Sequence, residues 1–328
     1  MKHLMLLPLL LIIFSSLNAQ YIPPHRDGVS QADYDKWVRR IKAYYKHLNN
    51  PDEALTPKQE FVILANYSTA YYVLKEPTDS CYQFMEQAME INKEFGCSHL
   101  NNDIESSDFL GIPSFKEKLG VENWEYLMQG CDKILAEKTA EKALALEKEY
   151  EENKDIYNFE LIEQLKEISK KDQDVRYKWS KIKQKYGKDS KEELDYIKIV
   201  HESDSINLVA VEAIIEKHGY PGKNLVGSEY QTDAMWVIHH AKYNEFRKKY
   251  FPILYQAAEN GELPLSAFKL YIDRLHQVEF GTQLYGTQSQ YNKELNAYER
   301  TPMEDEENYK QRIQDFNNGI IDIGRLSL

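Results

Sequence analysis

The sequence predicts an all-α protein: an N-terminal helical hairpin region followed by a multi-helix C-terminal domain that carries a Gly/Gln-rich loop. Three observations support this. Charged residues make up 29% of the chain and are mainly Glu and Lys, the composition of well-solvated helices. Apolar residues recur at steps of three, four and seven, which places them on one helical face. Helix start and stop residues fall where these stripes begin and end. With 328 residues and 42% hydrophobic content, the chain is long enough for one large or two modest domains, each with a core.

The expected plan is a signal segment over 1–19, an N-terminal helical region over 20–131, a helical connector over 132–157 and a C-terminal helical domain over 158–328. Lys2 and His3 form a short basic start, and Leu4 to Phe14 is an apolar run too short for an ordinary membrane span. Ala19 offers a cut that leaves Gln20 as the new N-terminus. Leu17, bulky for its place before the cut, keeps an uncleaved anchor open. Cleavage implies a periplasmic or secreted protein with no membrane span. Gln20 to Gly28, with Pro23 and Pro24, reads as a flexible leader.

Gln31 to Leu48 is the first helix, with Tyr34, Trp37, Val38, Ile41 and Tyr45 on one side. Thr56 caps the next, with Pro57 at the first helical position and Gln59 placed to close a capping box. It runs to about Leu74, and its partner runs from about Ser80 to Phe95. Small and aromatic residues along the pair allow close antiparallel packing, and the pair resembles one tetratricopeptide-like hairpin over about residues 56–95. That hairpin is the expected docking place for a protein partner. Residues 98–124 read as irregular, with short helical pieces at 107–110 and 113–119. Helix resumes from Asn123. Cys81, Cys97 and Cys131 allow a Cys81–Cys97 bridge or three unbridged core residues, and their spacing suits no zinc site.

From Asn158 a stripe runs through Leu161, Leu165, Ile168, Val175, Trp179 and Ile182. Asp172 sits in its gap, where a carboxylate needs a partner, and Arg176 is one turn on. The pair is either a structural seal or a site carboxylate held by its Arg. The next stripe contains His201 and Asp204, and Asp204 either lies on that face or caps a new helix near Ile206. Gly219 and Pro221 stop this helix. Glu229 to Tyr250 is helical. On its wheel His240 borders the core beside Asp233 and Asn244, and His239 points to solvent. No metal site is expected, since neighbouring histidines on a helix do not readily grip one ion. The helix from Pro264 buries Leu265, Phe268, Tyr271, Ile272, Leu275 and Val278. Arg274 borders that core and Asp273 faces away from it. Gly281 to Gln288 follows, offering Gln283, Tyr285, Thr287, Gln288 and loop amides to polar groups. The end, 319–328, is a short apolar segment able to dock on the core.

The formal net charge of -12, or -13 after Lys2 leaves with the signal, argues against nucleic-acid binding and against docking on anionic lipid. Together, Asp172-Gln173 with Arg176, Asp204 with Asn207, His218-Gly-Tyr-Pro221, Val226-Gly227, Trp236 with His240, Asp273-Arg274, Gln283 to Gln288, and Pro302 to Asp305 with Asn308 and Arg312 resemble a bacterial domain-of-unknown-function family (DUF series, 6624) over about residues 158–315. The resemblance implies that these polar residues belong together and implies no activity.

Three functions fit these residues. An enzyme would use His240 as its acid–base group, Asp172 or Asp204 to orient it, and Arg274 with Gln283 and Gln288 to hold a polar or anionic substrate, without a cofactor. A binding module would use the same set, with Gln173, Arg176, Asn207, Asp273, Tyr285 and Thr287, to hold a polar small molecule or envelope component. A purely structural protein would use them as an internal hydrogen-bond network. No nucleophile motif or phosphate loop decides for the first.

Overall fold

The computed structural model describes residues 21–49, 55–106, 119–292 and 297–326. Within these the protein is all-α apart from one two-stranded hairpin. The chain divides into two compact units, Met1–Lys142 and Ala143–Leu328. The signal segment 1–19 and the helical pieces expected within 107–118 lie outside the described residues.

In the first unit α1 is Gln31–Leu48, α2 Pro57–Val73, α3 Thr78–Ile91, α4 Lys93–Ser106 and α5 Val121–Met128. The expected capping box is present. Gln59 N–H donates to Thr56 Oγ1 at 3.3 Å and Thr56 N–H donates to Gln59 Oε1 at 2.9 Å. Helix α2 packs against both α1 and α3, so it is buried on several sides rather than along one stripe. Small residues allow this close approach: Ala65, Ala70 and Ala88 are fully buried, and the Ser68 hydroxyl donates to Cys81 O at 2.6 Å. Helix α4 continues over 98–106, where irregular structure is expected from the sequence.

The leader is not loose. Arg26 pairs with Glu76 at 2.8 Å, Tyr34 OH donates to Pro23 O at 3.1 Å, and Lys75 Nζ donates to Asp27 O at 2.6 Å. The cysteine pairing is also neither of the two expected. Cys97 is bonded to Cys131, with their Cα atoms 5.2 Å apart, and Cys81 is a free, buried thiol. Lys93 Nζ donates to Leu127 O at 2.7 Å, so α4 already holds the end of α5 close to the bridge.

Helix α6, Cys131–Asn153, spans the boundary between units and is mostly exposed, as its Ala/Glu/Lys composition suggests. The second unit continues with α7 Phe159–Tyr186, α8 Lys191–His218, α9 Lys223–Tyr230, α10 Asp233–His240, α11 Asn244–Glu259 and α12 Leu265–Phe280. Strands β1 Ser289–Asn292 and β2 Ala297–Arg300 form an antiparallel hairpin, and α13 is Tyr309–Asn317. Helices α7 and α8 fold back on one another. Trp179 Nε1 donates to Glu193 Oε1 at 3.2 Å near the turn, and Glu193 is itself buried. Helix α8 runs unbroken through Asp204, which is therefore not a cap. Gly219, at φ 75°, ends it as expected.

The helix expected over Glu229–Tyr250 is three pieces. Arg247 explains the last break: its Nε donates to His239 O at 2.9 Å and its Nη2 donates to Ala241 O, satisfying carbonyls that a continuing helix would use. Helix α10 is thereby surrounded, touching α7, α8, α11 and α12. The final segment docks as expected, with Ile321, Ile323 and Leu326 against the core and Ile323 O 2.9 Å from His276 Nε2. Among the described residues, no helix is long and apolar enough to cross a membrane.

Candidate functional site

The residues singled out by sequence separate into two networks within the second unit. The first joins α7, α8 and α10. Arg176 is its hub. Its Nε and Nη2 donate to the two oxygens of Asp172 at 3.1 and 2.9 Å, and Nη2 also donates to Asp204 Oδ1 at 2.5 Å. Gln173 Nε2 adds a bond to Asp172 Oδ2 at 3.0 Å. His240 Nδ1 lies 3.2 Å from Asp172 Oδ1 and 3.1 Å from Arg176 Nε. The helix explains why these groups meet: Asp172 and Arg176 are one turn apart on α7, facing α8, and Trp236 stacks on His240 within α10 at 6.0 Å.

The two carboxylates of this network, both almost fully buried, are driven in opposite directions. Burial raises the Asp172 pKa, but the hydrogen bonds and charges of His240 and Arg176 outweigh it and hold the group below its ordinary value. Burial dominates at Asp204, whose pKa is raised despite Arg176 and His240, with Asp172 adding to the rise. Asp172 is thus the ionised partner of the shared guanidinium. Divergent carboxylates of this kind are one pattern by which a site holds separate acid and base roles. The His240 ring has two settings. With the proton on Nδ1 it donates to Asp172 and presents a bare Nε2. With Nδ1 bare it accepts from Arg176 and presents Nε2–H.

The second network is the Gly/Gln loop, and its centre is Asp273. The wheel placed this residue away from the core, but it is fully buried. Its Oδ1 accepts from the backbone N–H of Leu284 and Tyr285, both at 2.8 Å. Its Oδ2 accepts from Thr287 N–H at 2.8 Å and Thr287 Oγ1 at 2.7 Å. The reason for the difference is that the loop folds back over the side of α12 that the wheel left to solvent. Successive amides of such a turn form an anion-binding nest, and here the anion is the chain's own carboxylate. The rest of the loop closes on itself. Gln283 Nε2 donates to Gln288 O and Thr301 O at 3.0 and 2.5 Å, and its Oε1 accepts from Gln288 N–H at 2.7 Å. Gln288 Nε2 donates to Leu270 O at 3.3 Å. Tyr285 OH donates to Asp322 O at 2.7 Å and fixes the C-terminal segment. No hydrogen bond among the described residues joins this network to the first.

Among the described residues Arg274 and Asn207 bond to no member of the first network, and Arg274 reaches the second through Gln277, whose Nε2 donates to Thr301 Oγ1 at 2.7 Å and Ser289 O at 3.1 Å. Arg274, half-buried, donates from Nη1 to Gln277 Oε1 at 2.8 Å. Asn207 lies one turn beyond Asp204 on α8 and is 2% exposed.

Three residues near the first network carry more than the sequence reading gave them. His239 does not face solvent: it is half-buried, its ring 6.4 Å from that of Tyr271 on α12. Its pKa is driven down to about 2, first by burial and then by the charges of His240, Arg274, Arg247 and Arg176. Asp233, two turns before His240, is pushed up to about 6, mainly by burial, with Glu229 and Asp172 adding to the rise against a Ser169 hydrogen bond. Arg247 is buried and its pKa is lowered by burial to about 10. The spacing of Asp233 and His240 was visible in the sequence. The roles of His239 and Arg247 were not, because they depend on α12 and on the break after α10.

Among the described residues, no group of three or more His, Cys, Asp or Glu is placed to hold a metal ion. The fold and first network define an all-α protein with a buried ionic cluster at a helix junction. Neither the family models, the curated proteins nor the solved structures compared with this chain give a match.

Proposed function

We propose that the C-terminal unit carries an acid–base site centred on His240, in an exported protein acting on a polar small molecule or envelope component. The observation that carries this reading is the 3.2 Å approach of His240 Nδ1 to Asp172, a carboxylate itself held in place by Arg176 and Gln173. A base oriented by a fixed carboxylate, with its other nitrogen left to exchange a proton, is the arrangement general acid–base catalysis needs. Asp204 and Asp233, both shifted upward, are the acids at hand. Hydrolysis is the reaction class that needs only these groups and water. The apolar run behind Lys2 supports export, and the Cys97–Cys131 bridge suits an oxidising compartment. The resemblance to the domain-of-unknown-function family supports grouping Asp172, Arg176, Asp204 and His240.

A second reading keeps the site and removes the chemistry: a polar-ligand module whose N-terminal hairpin docks a protein partner. The lack of a nucleophile motif favours it. The test is hydrolysis of a panel of esters, amides, glycosides and phosphoesters by purified protein. The acid–base reading expects a turnover that falls about 10²–10⁴-fold in His240→Gln and also falls in Asp172→Asn. Ligand binding with no turnover on any substrate favours the second reading. Turnover equal in both variants removes the first.

A further inference from the structure

Three buried nitrogen atoms have no hydrogen-bond partner among the described residues: Asn207 Nδ2, one turn from Asp204 on α8; His239 Nδ1, next to His240 on α10; and Arg274 Nε, one turn from Tyr271 on α12, whose ring lies 6.4 Å from that of His239. An unsatisfied buried donor is costly, and such atoms in a native fold commonly mark the place of a bound water or ion. Their charge environment indicates which. Among the described residues Arg274 is bonded to one group, the neutral amide of Gln277. Arg247, 4% exposed, donates to two carbonyls and to the Asn244 amide oxygen. Neither guanidinium has a carboxylate partner among the described residues. Arg176 is taken up by Asp172 and Asp204, which leaves Arg247 and Arg274 without an ion-pair partner among the described residues. His239 registers the result, since burial first, and the neighbouring His240 ring and the guanidinium groups of Arg274, Arg247 and Arg176 after it, keep its ring neutral. A bound anion would supply both the missing acceptor and the missing counter-charge.

We infer that Arg274, His239 and Asn207 form a seat for one oxyanion, a carboxylate or phosphate group of a small ligand. Arg274 Nε and the Asn207 amide donate directly. His239 donates from Nδ1 in the matching tautomer, and Arg247 adds charge without a direct bond. Arg274 and His239 are each only half-buried, so part of each side chain reaches solvent although the donor atoms do not. The seat deepens the acid–base reading by giving its substrate a charge, yet it does not require His240 to be catalytic.

The test is calorimetric titration of inorganic phosphate and, separately, acetate into the purified protein at fixed ionic strength, with a thermal-shift assay alongside. The expected result is saturable binding of one of them with a raised melting temperature. Arg274→Gln should weaken it roughly tenfold or more and Asn207→Leu by a smaller factor, whereas His240→Gln stays within about threefold of the intact protein. If Arg274→Gln does not fold, Arg274→Lys keeps the charge but loses the Nε donor, and the same weakening is expected. No saturable binding of either anion, or binding unchanged in the Arg274 variant, overturns the seat. Anion binding that survives while His240→Gln turnover does not differ from intact leaves the seat standing and removes the acid–base reading alone.

Discussion

In the N-terminal unit the interior is apolar. Among the described residues its buried polar residues are Ser68 and Thr69, both bonded to backbone carbonyls, and its one sheltered carboxylate, that of Glu76, is paired with Arg26 at the leader. Its aromatic residues pack on one another, Tyr67 on Phe84 at 5.1 Å and Phe61 on Phe95 at 5.1 Å, and a disulfide closes it. In the C-terminal unit the buried set includes Asp172, Glu193, Asp204, Arg247, Asp273 and His276. Apolar packing needs only shape and area. Buried charge is costly unless every partner is in place, so it persists where it specifies a geometry or serves a site. The difference is the physical ground on which the proposed site is placed in the C-terminal unit.

The largest effect should come from removing one charge of the shared network. Arg176→Leu leaves Asp172 and Asp204 facing each other without their cation, and should cost about 3–5 kcal/mol in urea unfolding. Neutralising all three groups together, as Asp172→Asn, Arg176→Leu and Asp204→Asn, should recover much of that loss. A triple variant as unstable as Arg176→Leu would mean that charge imbalance is not the cause. Next comes Asp273→Ala, which strands three loop amides and the Thr287 hydroxyl. A loss of about 3 kcal/mol is expected, with faster amide exchange at Leu284, Tyr285 and Thr287. Protection unchanged there would show that the loop is held by other contacts.

The pH dependence separates the units in a different way. The His239 pKa is about 2 in the folded state against an ordinary 6.5, so the unfolded chain binds the proton first. The stability linked to its neutral ring is full above about pH 6.5 and is lost as pH falls toward 2, at up to about 1.4 kcal/mol per pH unit. Asp233, raised to about 6, acts in the opposite direction below that value, because the folded state takes its proton first and acid then stabilises. Unfolding midpoints between pH 6.5 and 4 should therefore fall less in His239→Phe than in the intact protein, and parallel curves would contradict this assignment. The smallest effect is expected in the apolar unit. Ser68→Ala removes one bond to Cys81 O and should cost about 1 kcal/mol, and a loss as large as that of Arg176→Leu would erase the contrast between the units.

Much of the fold was legible because it rests on local signals. Helix α1 has the expected bounds, the Thr56–Gln59 box closes as read, and Gly219 stops α8. The Asp172–Arg176 pair was also legible, since a carboxylate in the gap of an apolar stripe requires a neighbour of opposite charge. What failed was the helical wheel wherever a helix has neighbours on more than one side. Asp273 and His239 were both assigned to solvent by a wheel with one buried face, and each is covered by an element distant in sequence. The Cys97–Cys131 pairing depends on how α4 packs against the junction of α5 and α6, which no spacing encodes. The break after α10 depends on Arg247, whose bonds to carbonyls of the preceding turn leave no trace in hydropathy.

The nest filled by Asp273 bears on how this part of the chain acquires its shape. The carboxylate and the amides it gathers are at most 14 positions apart, so the ring they close is short and its entropic cost small. Contacts of such low sequence separation assemble early relative to distant ones. Once Thr287 is anchored, β1 begins two residues later with its start already fixed, and the polypeptide need search only for the returning strand.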